Sequence, residues 1–168
     1  MPHTGPQSNH PDFAAAWRVA EAQFRCDSYS IHGPGHWRQV EKNGLFIAAR
    51  NGADQDVVQL FALFHDCCRW DDGGDPDHGP RAADFVVREN GSSFQLNASR
   101  LETLEYAIRH HTDGFRSEDP TIGACWDADR LDLGRVGMAP DARYMSTEPG
   151  KRVAQLGSIF LYLDSEEN

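Results

Sequence analysis

Apolar residues recur three and four apart through most of this chain and never alternate over the length of a strand, which is the signature of successive amphipathic helices. Asp12 precedes a single apolar face made by Phe13, Trp17, Ala20 and Phe24, and so caps a first helix that the spacing ends near Asp27. Gly33, Pro34 and Gly35 then interrupt regular structure, so His36 falls at the start of a second helix ending near Gly52. Asp54 caps a third helix that carries the most apolar run, from Val57 to Phe64, and extends to Arg69. Residues 71–76 are turn formers, and a fourth helix runs from about Asp77 to Asn90, stopped by Gly91. Ser99 and Glu102 have capping-box spacing and open a fifth helix that ends at His110 and His111. A sixth starts near Pro120 or Thr121 and carries Asp127, Asp129 and Asp132; beyond Gly134 the pattern weakens, with a last helix over residues 151–163. The expectation is one all-α helical bundle over residues 12–168, preceded by a flexible polar leader, residues 1–11, whose His3 and His10 are not candidate ligands.

Composition narrows the function classes. A chain of 168 residues with 39% hydrophobic content fills one core and is short for two. The net charge of −10 opposes binding to a nucleic-acid duplex through a broad basic face. A small anion remains a suitable substrate where a metal reverses the field in one cleft. No apolar stretch reaches the roughly 20 residues of a membrane span, and the leader lacks signal-peptide character, so a soluble cytoplasmic protein without a membrane partner is expected. Cys26, Cys67, Cys68 and Cys125 show no C-x-x-C spacing, and the adjacent pair reads as small core residues in a reducing compartment. Nothing in the pattern specifies an oligomeric state.

The candidate chemistry begins at His65 and Asp66, which end the most apolar run. Burying such polar groups without partners costs roughly 2–7 kcal/mol or more, so either a divalent metal or a hydrogen-bonded His–Asp pair at a helix terminus must compensate them. Helical geometry adds further residues. Asp129 falls inside the stripe of Ile122, Cys125, Trp126 and Leu133 and is the expected ligand, with Asp127 on the solvated side. His111 turns with Leu101, Leu104 and Ile108, which favours it over His110. His78 shares a partly apolar face with Ala82, Phe85 and Glu89, so it is a ligand or a capping or surface residue.

His36, His65, Asp66, His78, His111 and Asp129 supply nitrogen and oxygen donors without thiolate. That set suits one or two divalent ions of iron, manganese, cobalt, nickel or zinc better than calcium, with magnesium less suited, and argues against a structural zinc site. Six donors exceed the usual needs of one catalytic ion, so two metals sharing Asp66 form a natural arrangement, a device for activating water against phosphorus. Arg69, Arg81 and Arg130 are candidate phosphate contacts, each with a surface or ion-pair alternative. His32, in the Gly/Pro loop, is either a substrate contact and proton donor or an exposed loop histidine.

From His36 to Asp129 the chain resembles the HD-domain metal-dependent phosphohydrolase superfamily. The resemblance is carried by His36 with Val40, by His65-Asp66, and by Asp129-Arg130-Leu131. His65-Asp66-Cys67-Cys68-Arg69 is similar to the family's H-D-x-x-K, with Arg69 for lysine and the two cysteines for an aliphatic and a small residue. The segments His78-Gly79-Pro80-Arg81-Ala82-Ala83 and Ile108-Arg109-His110-His111-Thr112-Asp113-Gly114 resemble those that carry the extra histidines of dinuclear members, although Asp113-Gly114-Phe115 lacks the G-Y-P ending of the cyclic-di-GMP branch. The resemblance implies an HD-type helical bundle that hydrolyses a small nucleotide or related phosphate compound by a metal-activated water; Asp66, Arg69 and, from its place in the loop before His36, His32 are the candidate catalytic residues. Two rivals share the scaffold: an HD-type dinuclear iron oxygenase acting on a small alcohol or phosphonate, and a non-catalytic nucleotide sensor.

Overall fold

The structure, a computed structural model, describes residues 10–167. Nearly all of the expected leader lies outside the described residues; of its histidines only His10 is described, exposed, with Nδ1 3.0 Å from Asp56 Oδ1. Among the described residues there are eight α-helices and no strand: α1 (Phe13–Gln23), α2 (Pro34–Asn51), α3 (Gln55–Phe64), α4 (His78–Glu89), α5 (Ala98–Arg109), α6 (Pro120–Arg130), α7 (Glu148–Leu156) and α8 (Ile159–Glu167). Two short 3-10 turns, Leu133–Val136 and Ala142–Tyr144, join α6 to α7. No helix among the described residues is long and apolar enough to cross a membrane.

Helix α3 is the axis of the bundle. Asp54 caps it by accepting the N–H groups of Asp56 and Val57, at 3.1 and 3.2 Å. It packs against α2, α5 and α6, while α4 lies along α5. Leu60, Phe61, Leu63 and Phe64 are at most 1% exposed. At roughly 1.5–3 kcal/mol for each such side chain, this contact anchors the end of α3, from which the polar residues project.

Several boundaries differ from the periodicity. Helix α3 stops at Phe64 instead of Arg69, because Cys67 N–H bonds to Phe64 O (3.2 Å) and Arg69 N–H to Asp66 O (3.1 Å), tightening residues 65–69 into turns. Helix α1 ends at Gln23, four residues early. Helix α5 is capped by Asn97, whose side chain accepts Arg100 N–H at 3.0 Å, so the Ser99/Glu102 capping box does not form. The single C-terminal helix becomes two, broken where Gly157 takes a φ of 93°.

Asp127 is the largest correction. Expected on the solvated side of α6, it is fully buried and accepts Ser146 N–H (2.7 Å), Thr147 N–H (2.8 Å) and the Thr147 hydroxyl (2.7 Å). The stripe reading allowed α6 one packing face, whereas the segment entering α7 covers the other. Burial pushes this carboxyl above its ordinary range, against the pull of its three donors. Thr147 in turn caps α7 at Gly150 N–H, 3.0 Å away, and a Cβ at Gly150 would collide with the Asp127 carboxylate.

Asp127→Ala should therefore destabilise the protein by about 2–5 kcal/mol in chemical denaturation, because it orphans buried donors, and Gly150→Ala should also destabilise it. Asp129→Ala should cost far less stability. Equal losses at 127 and 129 would show that Asp127 does not tie α6 to α7.

Candidate metal centre

Five segments deliver polar side chains to one interior point. The first turn of α2 brings His36, the turn after α3 brings His65 and Asp66, and the first residue of α4 is His78. His111 follows α5, and Asp129 lies in the last turn of α6. His36, His65, Asp66, His78 and His111 are all at most 6% exposed.

Four imidazoles are turned the same way round. Nδ1 of His36 faces Asp132 Oδ2 at 2.7 Å, and Nδ1 of His65 faces the carbonyls of Phe61 and Ala62 at 3.2 and 3.1 Å. Nδ1 of His78 faces Asp75 O at 2.5 Å, and Nδ1 of His111 faces Ile108 O at 2.7 Å. A carbonyl or carboxylate oxygen accepts, so each Nδ1 carries hydrogen and each Nε2 directs a lone pair inward. Those lone pairs meet in twos, His36 with His65 at 3.1 Å and His78 with His111 at 3.0 Å. Two lone pairs at that distance need a positive centre between them.

Asp66 sits between the pairs. Its Oδ2 lies 3.7 and 3.5 Å from Nε2 of His36 and His65, and its Oδ1 lies 3.2 and 3.5 Å from Nε2 of His78 and His111. Asp129 Oδ1 joins the first pair, 3.1 Å from His36 Nε2 and 3.7 Å from His65 Nε2. At metal–donor bonds of about 2.1 Å, donors around one ion stand about 3.0 Å apart at right angles and about 3.4 Å apart in a tetrahedron. The separations here, 3.0–3.7 Å, lie close to those values, so the donor set fits two ions: His36, His65 and Asp66, with Asp129 beside them, would hold one, and Asp66, His78 and His111 the other.

Electrostatics agree with that fit. Burial opposes charge on Asp66, but the imidazoles around it, His65 foremost, hold its carboxyl well below the ordinary range. Burial drives His65 down to about 4, leaving it neutral. For His36 burial again opposes charge, but hydrogen bonds to Asp129 and Asp132 prevail and raise it to about 9. His111 is raised too, by Asp66 against burial. Without a cation, one proton can fill each gap between lone pairs.

The remaining candidates separate into two groups. His32 Nδ1 donates to Asp66 Oδ2 at 3.1 Å from a partly buried position, at the edge of the centre. Arg69 is 9% exposed; Nη1 donates to Asp71 O and Gly73 O, while Nε is buried without a hydrogen-bond partner, 3.5 Å from Asp66 Oδ1. Arg69 and His78 line an open cleft of about 550 Å3 with Arg109, Thr112 and Asp113. Arg81 and Arg130, candidate phosphate contacts with an ion-pair alternative, have their guanidinium groups engaged by the protein itself. Arg81 bonds Asp75 and Cys68 O, and Arg130 donates to the carbonyls of Gly114, Phe115 and Tyr144. His110 stays at the surface near Asp113, 3.2 Å away. Asp132 was missed as the orienting partner of His36, although its place three residues after Asp129 was a usable signal.

Metal binding at the first pair must displace the His36 proton. For a histidine raised from 6.5 to about 9, the metal-free protein holds this stabilising proton fully below 6.5 and loses it as pH rises through 9. Manganese(II) affinity should thus climb by up to about tenfold per pH unit across that window and level off above it, and Asp132→Ala should lower it about 10–100-fold. Calorimetry at a series of pH values checks both; a flat profile would show that His36 carries no proton for the metal to displace.

No family model and no curated protein matches the chain. Among solved structures, a protein from an uncultured Thermotogales bacterium, described as a predicted HD superfamily hydrolase, is similar with a TM-score of 0.68. The similarity covers 99% of this chain and 97% of that one at 23% identity. The helical bundle assembled around the His–Asp centre is thus an HD-type fold.

Proposed function

We propose that the protein is a metal-dependent phosphohydrolase that cleaves an ester or anhydride bond in a small phosphate compound, with nucleotides as the first class to examine. The observation that carries this reading is Asp66, which offers one oxygen to each of two inward-facing histidine pairs. Divalent ions held there would lower the pKa of water and neutralise charge developing on phosphoryl oxygens. The likeness to a predicted HD superfamily hydrolase supports hydrolysis as the general class.

The chain's own groups supply the rest. Arg69 lines the open cleft beside Asp66, with Nε 3.5 Å from Asp66 Oδ1, and its guanidinium is suited to a phosphoryl oxygen entering that cleft. With a net charge of −10 the protein offers anions no broad attraction, so a local guanidinium matters more. His32 donates through Nδ1 to Asp66, which fixes its ring; as an imidazolium it would also carry a proton on Nε2 for a leaving group. Arg81 and Arg130 act by bracing the segments around the site.

Asp66→Ala should lose metal and abolish phosphate release in a screen over nucleotides and simple phosphate esters. Arg69→Ala should keep near wild-type metal content while turnover falls about 10–1000-fold, on the order of 1.4–4 kcal/mol, with partial recovery in Arg69→Lys. Oxygen consumption by an iron-loaded protein that releases no phosphate would point to the oxygenase instead. Tight nucleotide binding without turnover would point to a sensor.

A further inference from the structure

A second cleft, of about 230 Å3, opens behind the turn that aims Asp66. Cys68 and Trp70 line it together with three cationic side chains, Arg25, Arg81 and Arg88. The Arg81 and Arg25 guanidinium groups stand 3.7 and 5.2 Å from the Trp70 ring centre. Asp84 also lines the cleft, but Arg109 holds its carboxylate at 2.6 Å. Asp75 pairs with Arg81 at 2.5 Å, but Arg25 and Arg88 leave a local positive field in a chain of net charge −10, suited to a small anion.

The cleft leads to a thiol pair. Cys68 is 8% exposed on its wall, and Cys67 is fully buried beside it. Residues one apart on a helical turn diverge by about 100°, yet the two sulfurs face each other at 3.7 Å. All four cysteines are free. The same turn carries Asp66 one residue before Cys67 and Arg69 one residue after Cys68.

We propose that Cys68 is a thiolation site for small anionic disulfides, and that Cys67 resolves the adduct into a vicinal disulfide beside Asp66. The Cys68 sulfur attacks one sulfur of the incoming disulfide; a mixed disulfide forms, the incoming S–S bond breaks, and the departing thiolate is balanced by the proton Cys68 releases. The Cys67 sulfur then attacks the Cys68 sulfur and expels the second small thiol, which is balanced by the Cys67 proton. Two protein thiols are oxidised by two electrons, and one small disulfide is reduced to two thiols. Closing the pair from 3.7 Å to a bond of about 2.05 Å twists the peptide between the cysteines. The Cys67-to-Phe64 and Arg69-to-Asp66 backbone bonds that shape the turn then yield, which moves the Asp66 carboxylate away from the histidines.

The thiol chemistry is independent of what the metal centre hydrolyses, so peptide mass mapping reads it directly. The full chain is incubated with glutathione disulfide, an anionic probe, and separately with neutral 2-hydroxyethyl disulfide. Wild type should lose two hydrogens on the Cys67–Cys68 peptide and retain no adduct. Cys67→Ser, or Cys67→Ala should serine fold poorly, should keep glutathione on Cys68, and Cys68→Ser should do neither. Reversing charge at Arg25 and Arg88 should slow glutathione disulfide by about 10-fold at low salt and leave the neutral probe unchanged. The oxidised protein should bind manganese(II) more weakly, and dithiothreitol should restore both thiols and affinity. Reaction at Cys26 alone, or thiols at 67 and 68 that react only after unfolding, would overturn the site. Unchanged manganese(II) affinity after oxidation would overturn its link to Asp66.

Discussion

The whole centre depends on four imidazoles sharing one orientation, Nδ1–H outward to an acceptor and Nε2 inward. Each outward partner comes from the frame: backbone carbonyls of α3, of the α4 entry and of the end of α5, and the carboxylate of Asp132. Once these hydrogen bonds form, the inward lone pairs have no hydrogen to share and must meet a proton or a cation. Asp66 adds negative charge to the same point, which makes a divalent ion the stronger answer.

Such an arrangement is costly for a metal-free core, and the fold offsets it through apolar burial along α3. Phe61 illustrates the coupling between packing and chemistry. It is fully buried, its ring stacks on the His65 imidazole at 5.0 Å, and its carbonyl accepts from the same imidazole. Packing and ring orientation are therefore set by one residue. The chain tightens after Phe64, and from that turn Asp66 faces both histidine pairs.

Much of this was legible locally. Asp54 as a cap, the stop before Gly52 and the gathering of His36, His65, Asp66, His78, His111 and Asp129 follow from caps and from faces three or four residues apart, which are short-range properties. Three features escaped because they arise from tertiary partners. Asp127 looked solvated until the α7 entry covered it, Arg81 and Arg130 looked available until loop carbonyls and Asp75 claimed them, and the carbonyls that orient His65, His78 and His111 have no signature in residue type. The capping box at Ser99 failed because Asn97, two residues earlier, had an equally good side-chain acceptor.

The central claim is that two cations occupy the two Nε2 pairs on either side of Asp66. Anomalous diffraction from crystals soaked in cobalt(II) or manganese(II) tests it most directly. Two peaks are expected, one touching His36, His65 and Asp129, the other touching His78 and His111, with Asp66 reaching both at bonds of about 2.0–2.3 Å. A peak bound through Nδ1, or full-strength peaks elsewhere with none beside Asp66, would contradict the account.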